Sequence, residues 1–114
     1  MKHFDLMIKF SKESEKYFKN YRKYIKEIKK IAKKELKDVK VFCFGSVVEK
    51  MNLPSSDIDV LIVSKNMPKK ISDRSKIKVK IWKKIGIFSP FELHLVTPKE
   101  FEWYKAFIKK LEAF

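Results

Sequence analysis

Two carboxylates open an apolar segment in the middle of the chain. Asp57 and Asp59 flank Ile58, and because side chains alternate along a β-strand, both carboxylates would project from the same face. Two acidic groups at that distance repel each other unless a cation or a proton lies between them. Paired carboxylate oxygens suit Mg²⁺, which binds one or two carboxylates together with substrate phosphates. The pair is therefore a candidate metal site.

A Gly-Ser pair upstream could bind those phosphates. Gly45 lets the backbone approach a ligand closely, and Ser46 could cap a short helix whose first N–H groups face an anion. Lys50 either places a flexible ammonium near a triphosphate or forms a solvated pair with Glu49 in that helix. Ser56 could also reach a phosphate, although a serine directly before a strand usually belongs to a turn. Together with the acidic pair, these residues predict a site for a metal-bound nucleotide.

Glu92 is the candidate for a third carboxylate. In the strand-like segment 91–96 it shares a face with His94 and Val96. An unpaired charge in an apolar strand would be costly, so Glu92 needs a partner. It could position a second metal ion or accept the proton of an acceptor hydroxyl, or it could pair with His94 or a helix lysine in a purely structural role. His94 could orient Glu92 or contact the substrate, but it is interpreted as a satisfied residue at the edge of the core, not as a catalytic one.

Three strands are predicted to carry these groups. They correspond to runs of β-branched and aromatic residues at 39–44, 58–63 and 91–96. The middle run is almost wholly apolar, as expected for a central strand that is covered on both faces. Such a strand requires helices on both sides of the sheet, so the sequence predicts an α/β layer arrangement.

Helices are predicted on either side of the strands. Apolar residues recur at three- and four-residue steps from Ser11 or Ser14 to Leu36, which indicates a long amphipathic helix. The same spacing predicts a second long helix over residues 71–85, ended by Gly86.

The last predicted helix begins with a capping box. Thr97 at its N-cap and Glu100 three residues later can satisfy two backbone N–H groups, with a proline at the first helical position. Trp82 and Trp103 are interpreted as packing within the monomer or, alternatively, as contacts to an oligomer or partner surface. The helix is expected to bury four residues along one face: Phe101, Tyr104, Ile108 and Leu111.

The length and composition fit one globular domain. The chain has 114 residues, of which 45% are hydrophobic, enough to argue against disorder. One domain is predicted over residues 1–114, with residues 1–10 as an N-terminal arm or an extra helical turn. No apolar run could span a bilayer and no signal-peptide pattern opens the chain, so a cytoplasmic location without membrane contact is expected. Cys43 is the only cysteine, which excludes an internal disulfide.

The chain is strongly basic. Its 28 Lys and Arg residues against 14 Asp and Glu residues give a net charge of +14. This charge will attract nucleotides, RNA or an acidic partner protein, in associations that weaken with salt. Because only Arg22 and Arg74 are arginine, bidentate recognition of phosphate is not expected. A solvated, charged surface without a specific partner is the alternative.

The spacing of the motifs resembles a known signature. A Gly-Ser pair followed after about ten residues by Asp-x-Asp entering an apolar strand is similar to the polymerase-β-like nucleotidyltransferase superfamily. A chain of this size resembles its minimal archaeal and bacterial members, and segments 42–63 and 90–108 fit their order of elements. The family usually has arginine and glycine where this chain has Glu49 and Lys50, and most often aspartate where it has Glu92.

The resemblance implies an α/β nucleotidyltransferase fold, a mixed sheet of at least three strands flanked by about four helices. It also implies Mg²⁺-dependent transfer of a nucleoside monophosphate, AMP from ATP, to a protein or RNA hydroxyl, with pyrophosphate as the leaving group. The residues expected at the nucleotide are Gly45, Ser46, Lys50 and Ser56. Those expected to hold two Mg²⁺ ions and to act in catalysis are Asp57, Asp59 and Glu92.

The resemblance further implies a partner. Minimal nucleotidyltransferases often occur beside a small helical HEPN-family protein, as toxin–antitoxin pairs in which the nucleotidyltransferase is the antitoxin and adenylylates the toxin. A different class of function stays open from the sequence. The chain could be a catalytically weak or inactive family member that acts as a binding module for a partner protein or for RNA.

Overall fold

The computed structural model describes residues 15–50 and 57–114. The elements are α1 (Tyr21–Leu36), β1 (Lys40–Phe44), β2 (Ile58–Val63), α2 (Ile71–Ile85), β3 (Phe91–Val96), α3 (Pro98–Lys105) and β4 (Glu112–Ala113). A further helical segment, residues 15–19, precedes α1. The expected arm at 1–10, the helix start at Ser11 or Ser14, and Ser56 lie outside the described residues.

The strands form one mixed sheet in the order β3-β2-β1-β4. β2 and β3 are parallel, with Asp59 opposite Glu92, and α2 provides the crossover that a parallel pair requires. β1 is antiparallel to β2, with Phe44 opposite Asp59, and β4 is antiparallel to β1. This arrangement confirms the predicted α/β fold, with four strands and four helical segments among the described residues.

The central strand β2 is buried on both faces. Ile58, Val60 and Ile62 pack in the larger core with α1 and α2, whereas Leu61 and Val63 belong to a smaller core. That second core is completed by Val96 of β3 and by partly buried side chains of α3 and the residues after it. One face of β2 therefore packs against α1 and α2, and the other packs against α3 and the residues after it. Both faces are covered, as the apolar run predicted.

A buried arginine fixes α3 against the sheet. Arg74 of α2 is 8% exposed, and its Nη1 donates to Glu100 at 2.8 Å and to the Leu95 carbonyl at 3.1 Å. The predicted capping box is confirmed, since Thr97 and Glu100 exchange backbone and side-chain hydrogen bonds. Burial acts to raise the pKa of Glu100, but hydrogen bonds from Thr97 and Arg74 outweigh it and lower that pKa. Glu100 thus remains a carboxylate paired with the buried guanidinium.

The C-terminus departs from the prediction. α3 ends at Lys105, so the expected continuation of the helix to Leu111 is wrong, although Ile108 and Leu111 still pack in the smaller core. The chain leaves the helix because residues 112–113 pair with the edge of β1 as β4, a strand that was not predicted. Glu112 fixes this strand by accepting hydrogen bonds from Tyr21 and Arg22 of α1. Within the described ranges, no helix combines the length and hydropathy needed to cross a bilayer.

Candidate functional site

Three side chains of metal-ligand type meet on neighbouring strands. Asp59 of β2 and both Glu92 and His94 of β3 bring one ligand atom each to within 4.8 Å of one another. The parallel register places Asp59 beside Glu92, and alternation directs all three side chains to the α3 side of the sheet. Two carboxylates and an imidazole are the donor types that proteins use for divalent metals.

His94 links this cluster to α3. Its Nε2 lies 3.1 Å from Asp59 Oδ1 and 3.9 Å from Glu92 Oε1, while its Nδ1 lies 3.2 Å from the Tyr104 hydroxyl. Burial, followed by the charges of nearby carboxylates, raises the pKa of Tyr104. The imidazole therefore bridges the Tyr104 hydroxyl and the Asp59 carboxylate and holds that carboxylate in place.

The prediction of a core-edge histidine missed this contact with Asp59. The available signal was that His94 shares a strand face with Glu92. The sequence does not give the pairing of β2 with β3, and only that pairing brings the imidazole to Asp59.

Asp57 approaches the cluster from the end of β2. It is exposed and lies directly before the strand, close enough to Glu92 to affect the pKa of that carboxyl group. Partial burial raises the pKa of Glu92, the charge of His94 lowers it, and the charges of Asp59 and Asp57 raise it further. Such crowding of carboxylates favours a cation between them. Metal binding by all three carboxylates stays a prediction.

The contact with Asp59 requires a glycine at position 45. Its φ is +86°, a left-handed conformation, and a Cβ atom at this position would lie only 2.5 Å from Asp59 Oδ2. The sequence predicted a close approach between this glycine and a ligand. In the structure the group that closely approaches it is the carboxylate of Asp59 itself. The turn and the acidic cluster therefore touch, with no side chain between them.

The short helix predicted after the Gly-Ser pair is wrong over residues 46–50. These residues form consecutive turns, with the Glu49 N–H donating to the Gly45 carbonyl at 3.1 Å and the Lys50 N–H to the Val47 carbonyl at 3.4 Å. The buried Val47 side chain packs in the larger core and holds the turn against the sheet. Ser46 therefore caps no helix in this stretch.

Lys50 has the backbone conformation of a glycine. Its φ is +58°, and it stands where the family usually has the second glycine of the turn. A non-glycine residue in the left-handed region carries a steric cost between its Cβ and the backbone. The turn therefore carries local strain at Lys50. The exposed ammonium can extend from it toward solvent or a bound anion.

We expect Lys50→Gly to stabilise the fold by about 1 kcal/mol, because relief of about 1–2 kcal/mol of left-handed strain exceeds the added entropy of glycine in the unfolded chain. A thermal melting curve measures the effect. Lys69→Gly is the matched control, since Lys69 is exposed and has no left-handed φ. Equal shifts for the two variants would contradict the strain at Lys50.

A cavity opens beside the cluster. Its volume is about 500 Å³, and it lies between the turn at Gly45 and the residues at the end of α3. Gly45 and His94 line it, so it adjoins the two residues that touch Asp59. Most of its remaining wall is aromatic or aliphatic. The site thus combines an acidic, polar end with an apolar one.

Acidic residues on adjacent strands next to a Gly-Ser turn, in a mixed sheet with helices on both faces, define a protein of the nucleotidyltransferase class. The family model for the nucleotidyltransferase domain matches residues 25–113. The chain therefore belongs to the nucleotidyltransferase domain family.

Two solved structures resemble the chain. A crystal structure of a candidate nucleotidyltransferase has 41% sequence identity and a TM-score of 0.64, covering 78% of this chain and 95% of that chain. Another, of a candidate nucleotidyltransferase from Sulfolobus solfataricus, has 20% identity and a TM-score of 0.58, covering 92% and 86%. At that identity the second likeness shows the fold alone. No curated protein matches the chain significantly.

Proposed function

We propose that the chain transfers a nucleoside monophosphate, AMP from ATP, to a hydroxyl group of a protein or RNA and releases pyrophosphate. The observation that carries the proposal is the meeting of Asp59 and Glu92 on neighbouring strands against the Gly45 turn. Carboxylates at this spacing are costly in a fold unless they bind a cation or a proton. Family membership supplies the class of reaction.

The donor set fits divalent metal ions. Asp57, Asp59 and Glu92 would hold two Mg²⁺ ions through carboxylate oxygens, the ligands that Mg²⁺ prefers. Imidazole is a less usual Mg²⁺ ligand, and His94 Nε2 already contacts Asp59 at 3.1 Å, so His94 is assigned to positioning. When bound, the ions would neutralise charge on the triphosphate and orient it for in-line displacement.

Residues of the protein would bind the phosphates and accept the proton of the acceptor hydroxyl. The Gly45–Ser46 turn would hold the triphosphate, because the absence of a Cβ at Gly45 lets the Asp59 carboxylate lie directly against the turn and so brings the proposed metal site next to it. Lys50 and Ser56 are proposed to add a cation and a hydroxyl. The Glu92 side chain is 54% exposed, so an incoming acceptor hydroxyl can reach it, and its raised pKa suits a group that accepts a proton.

The acceptor is proposed from the resemblance to minimal nucleotidyltransferases. An HEPN-family protein would offer the hydroxyl, and the chain would act as the antitoxin. RNA is the other acceptor considered, and the net charge of +14 would attract it. Transfer assays with a co-purified protein and with RNA separate the two.

We expect ATP binding to require Mg²⁺ and Asp57→Asn to weaken it about tenfold, because the variant loses one charged contact of about 1.5 kcal/mol. Calorimetric titration of ATP with and without Mg²⁺ measures both effects. Asp73→Asn is the matched control, an aspartate on α2 that pairs with Lys76 at 3.7 Å. The metal site is refuted by equal ATP affinity in the two conditions.

A further inference from the structure

The inner wall of the 500 Å³ cavity is aromatic. Phe44 of β1 and His94 of β3 have ring centroids 5.2 Å apart, and Tyr104 of α3 lies 6.3 Å from Phe44 and 5.6 Å from His94. The three rings pack near one another and line the cavity together. They are held there by the sheet on one side and by α3 on the other.

The outer wall exposes two large aromatic side chains. Trp103 is 60% exposed and Phe107 is 86% exposed, and both line the cavity. Exposed aromatic surface around a concave site commonly marks a ligand site. Neither residue belongs to the two hydrophobic cores. Packing of the fold therefore does not account for their presence at this rim.

The cavity is continuous with the acidic cluster. His94 lines the cavity and contacts Asp59 at 3.1 Å, and Gly45 lines it while lying against the same carboxylate. A ligand that fills the cavity would thus extend to the proposed phosphate and metal site. A nucleotide has the matching form, since a flat, largely apolar base is joined through a sugar to charged phosphates.

We propose that this cavity binds the purine base of the nucleoside triphosphate, a proposal that rests on the proposed function. The base would stack on Trp103 and Phe107, because every nucleobase presents a π-face to an aromatic ring. Glu49 and Lys109 at the rim offer a hydrogen-bond acceptor and a donor for the edge of the base. A purine is favoured because its two fused rings offer more stacking area than a pyrimidine.

The test compares ATP with inorganic tripolyphosphate, both with Mg²⁺, by calorimetry on the whole chain. We expect ATP to bind about 5- to 150-fold more tightly than tripolyphosphate, which corresponds to the range measured for stacking of one base. Trp103→Ala should remove most of that difference and Phe107→Ala part of it. Neither change should alter tripolyphosphate affinity.

Ile87→Ala is the matched control, since Ile87 is 68% exposed and lies outside the cavity lining. Melting curves should show folded variants, because Trp103 and Phe107 are both exposed. Equal affinity for ATP and tripolyphosphate, unchanged by Trp103→Ala, would overturn the base site and leave the proposed function standing. Failure of both ligands to bind would overturn the proposed function and the base site with it. CTP or UTP binding as tightly as ATP and GTP would overturn the preference for a purine.

Discussion

Glu92→Gln is expected to lower nucleotide transfer by about 10²–10⁴-fold while changing ATP affinity little, because loss of a general base has that typical cost. Glu92 lies on β3, beside Asp59 of β2, and its exposed carboxylate faces solvent from which an acceptor would arrive. A group that acts on the acceptor contributes mainly in the transition state, so its removal affects turnover more than ground-state binding.

The assay follows the label from an α-labelled NTP to a co-purified partner protein or to RNA. Glu102→Gln is the matched control, because Glu102 is an exposed glutamate on α3 whose partner is Lys105 at 2.9 Å. The three-carboxylate mechanism is wrong if Glu92→Gln transfers at the wild-type rate. A variant that melts early and transfers normally per folded molecule would assign Glu92 a structural role. If the chain is instead a binding module, Glu92→Gln should leave partner binding intact.

Elements with strong local signals were predicted well. The bounds of β2 and β3, the helix over Ile71–Ile85 and the capping box at Thr97 agree with the structure. Each depends on residues close in sequence, such as an apolar run, a glycine that ends a helix or a threonine at the N-cap. Alternation along β3 also placed Glu92 and His94 on one face.

The predictions that failed concern features that depend on contacts between segments distant in sequence. The end of α3 and the presence of β4 are decided by pairing with the edge of β1 and by Glu112 contacting Tyr21 and Arg22. No local pattern in a two-residue strand reveals such a partner. The position of His94 against Asp59 likewise follows from strand register, which the sequence leaves undetermined.

The Gly-Ser turn was predicted in part, and the structure supplies the rest. The sequence predicted a glycine that permits close approach, and the structure identifies the neighbour as Asp59. The family usually has glycine where this chain has Lys50. In the structure the φ of Lys50 is +58°, a left-handed conformation that glycine adopts more readily than lysine.

Gly45→Ala is expected to reduce transfer by about 10²-fold, because displacement of a reacting group by about 1 Å can have that cost. The added methyl group would lie 2.5 Å from Asp59 Oδ2, so the carboxylate must leave the position in which it meets Glu92 and His94. Alanine at a φ of +86° also carries strain of about 1–2 kcal/mol, which should lower the melting temperature. Mg²⁺-dependent ATP affinity should fall together with the rate.

Gly86→Ala is the control that separates an effect on stability from an effect on nucleotide transfer. Gly86 ends α2 with a φ of +141°, and a methyl group there would collide with the Tyr17 hydroxyl, outside the acidic cluster. Both variants should therefore melt at lower temperature than the wild type. Measured below both melting transitions, Gly86→Ala should retain the wild-type rate and Mg²⁺-dependent ATP affinity, whereas Gly45→Ala should lose both. Equal rates for the two folded variants would show that the contact between Gly45 and Asp59 does not position the carboxylate for transfer.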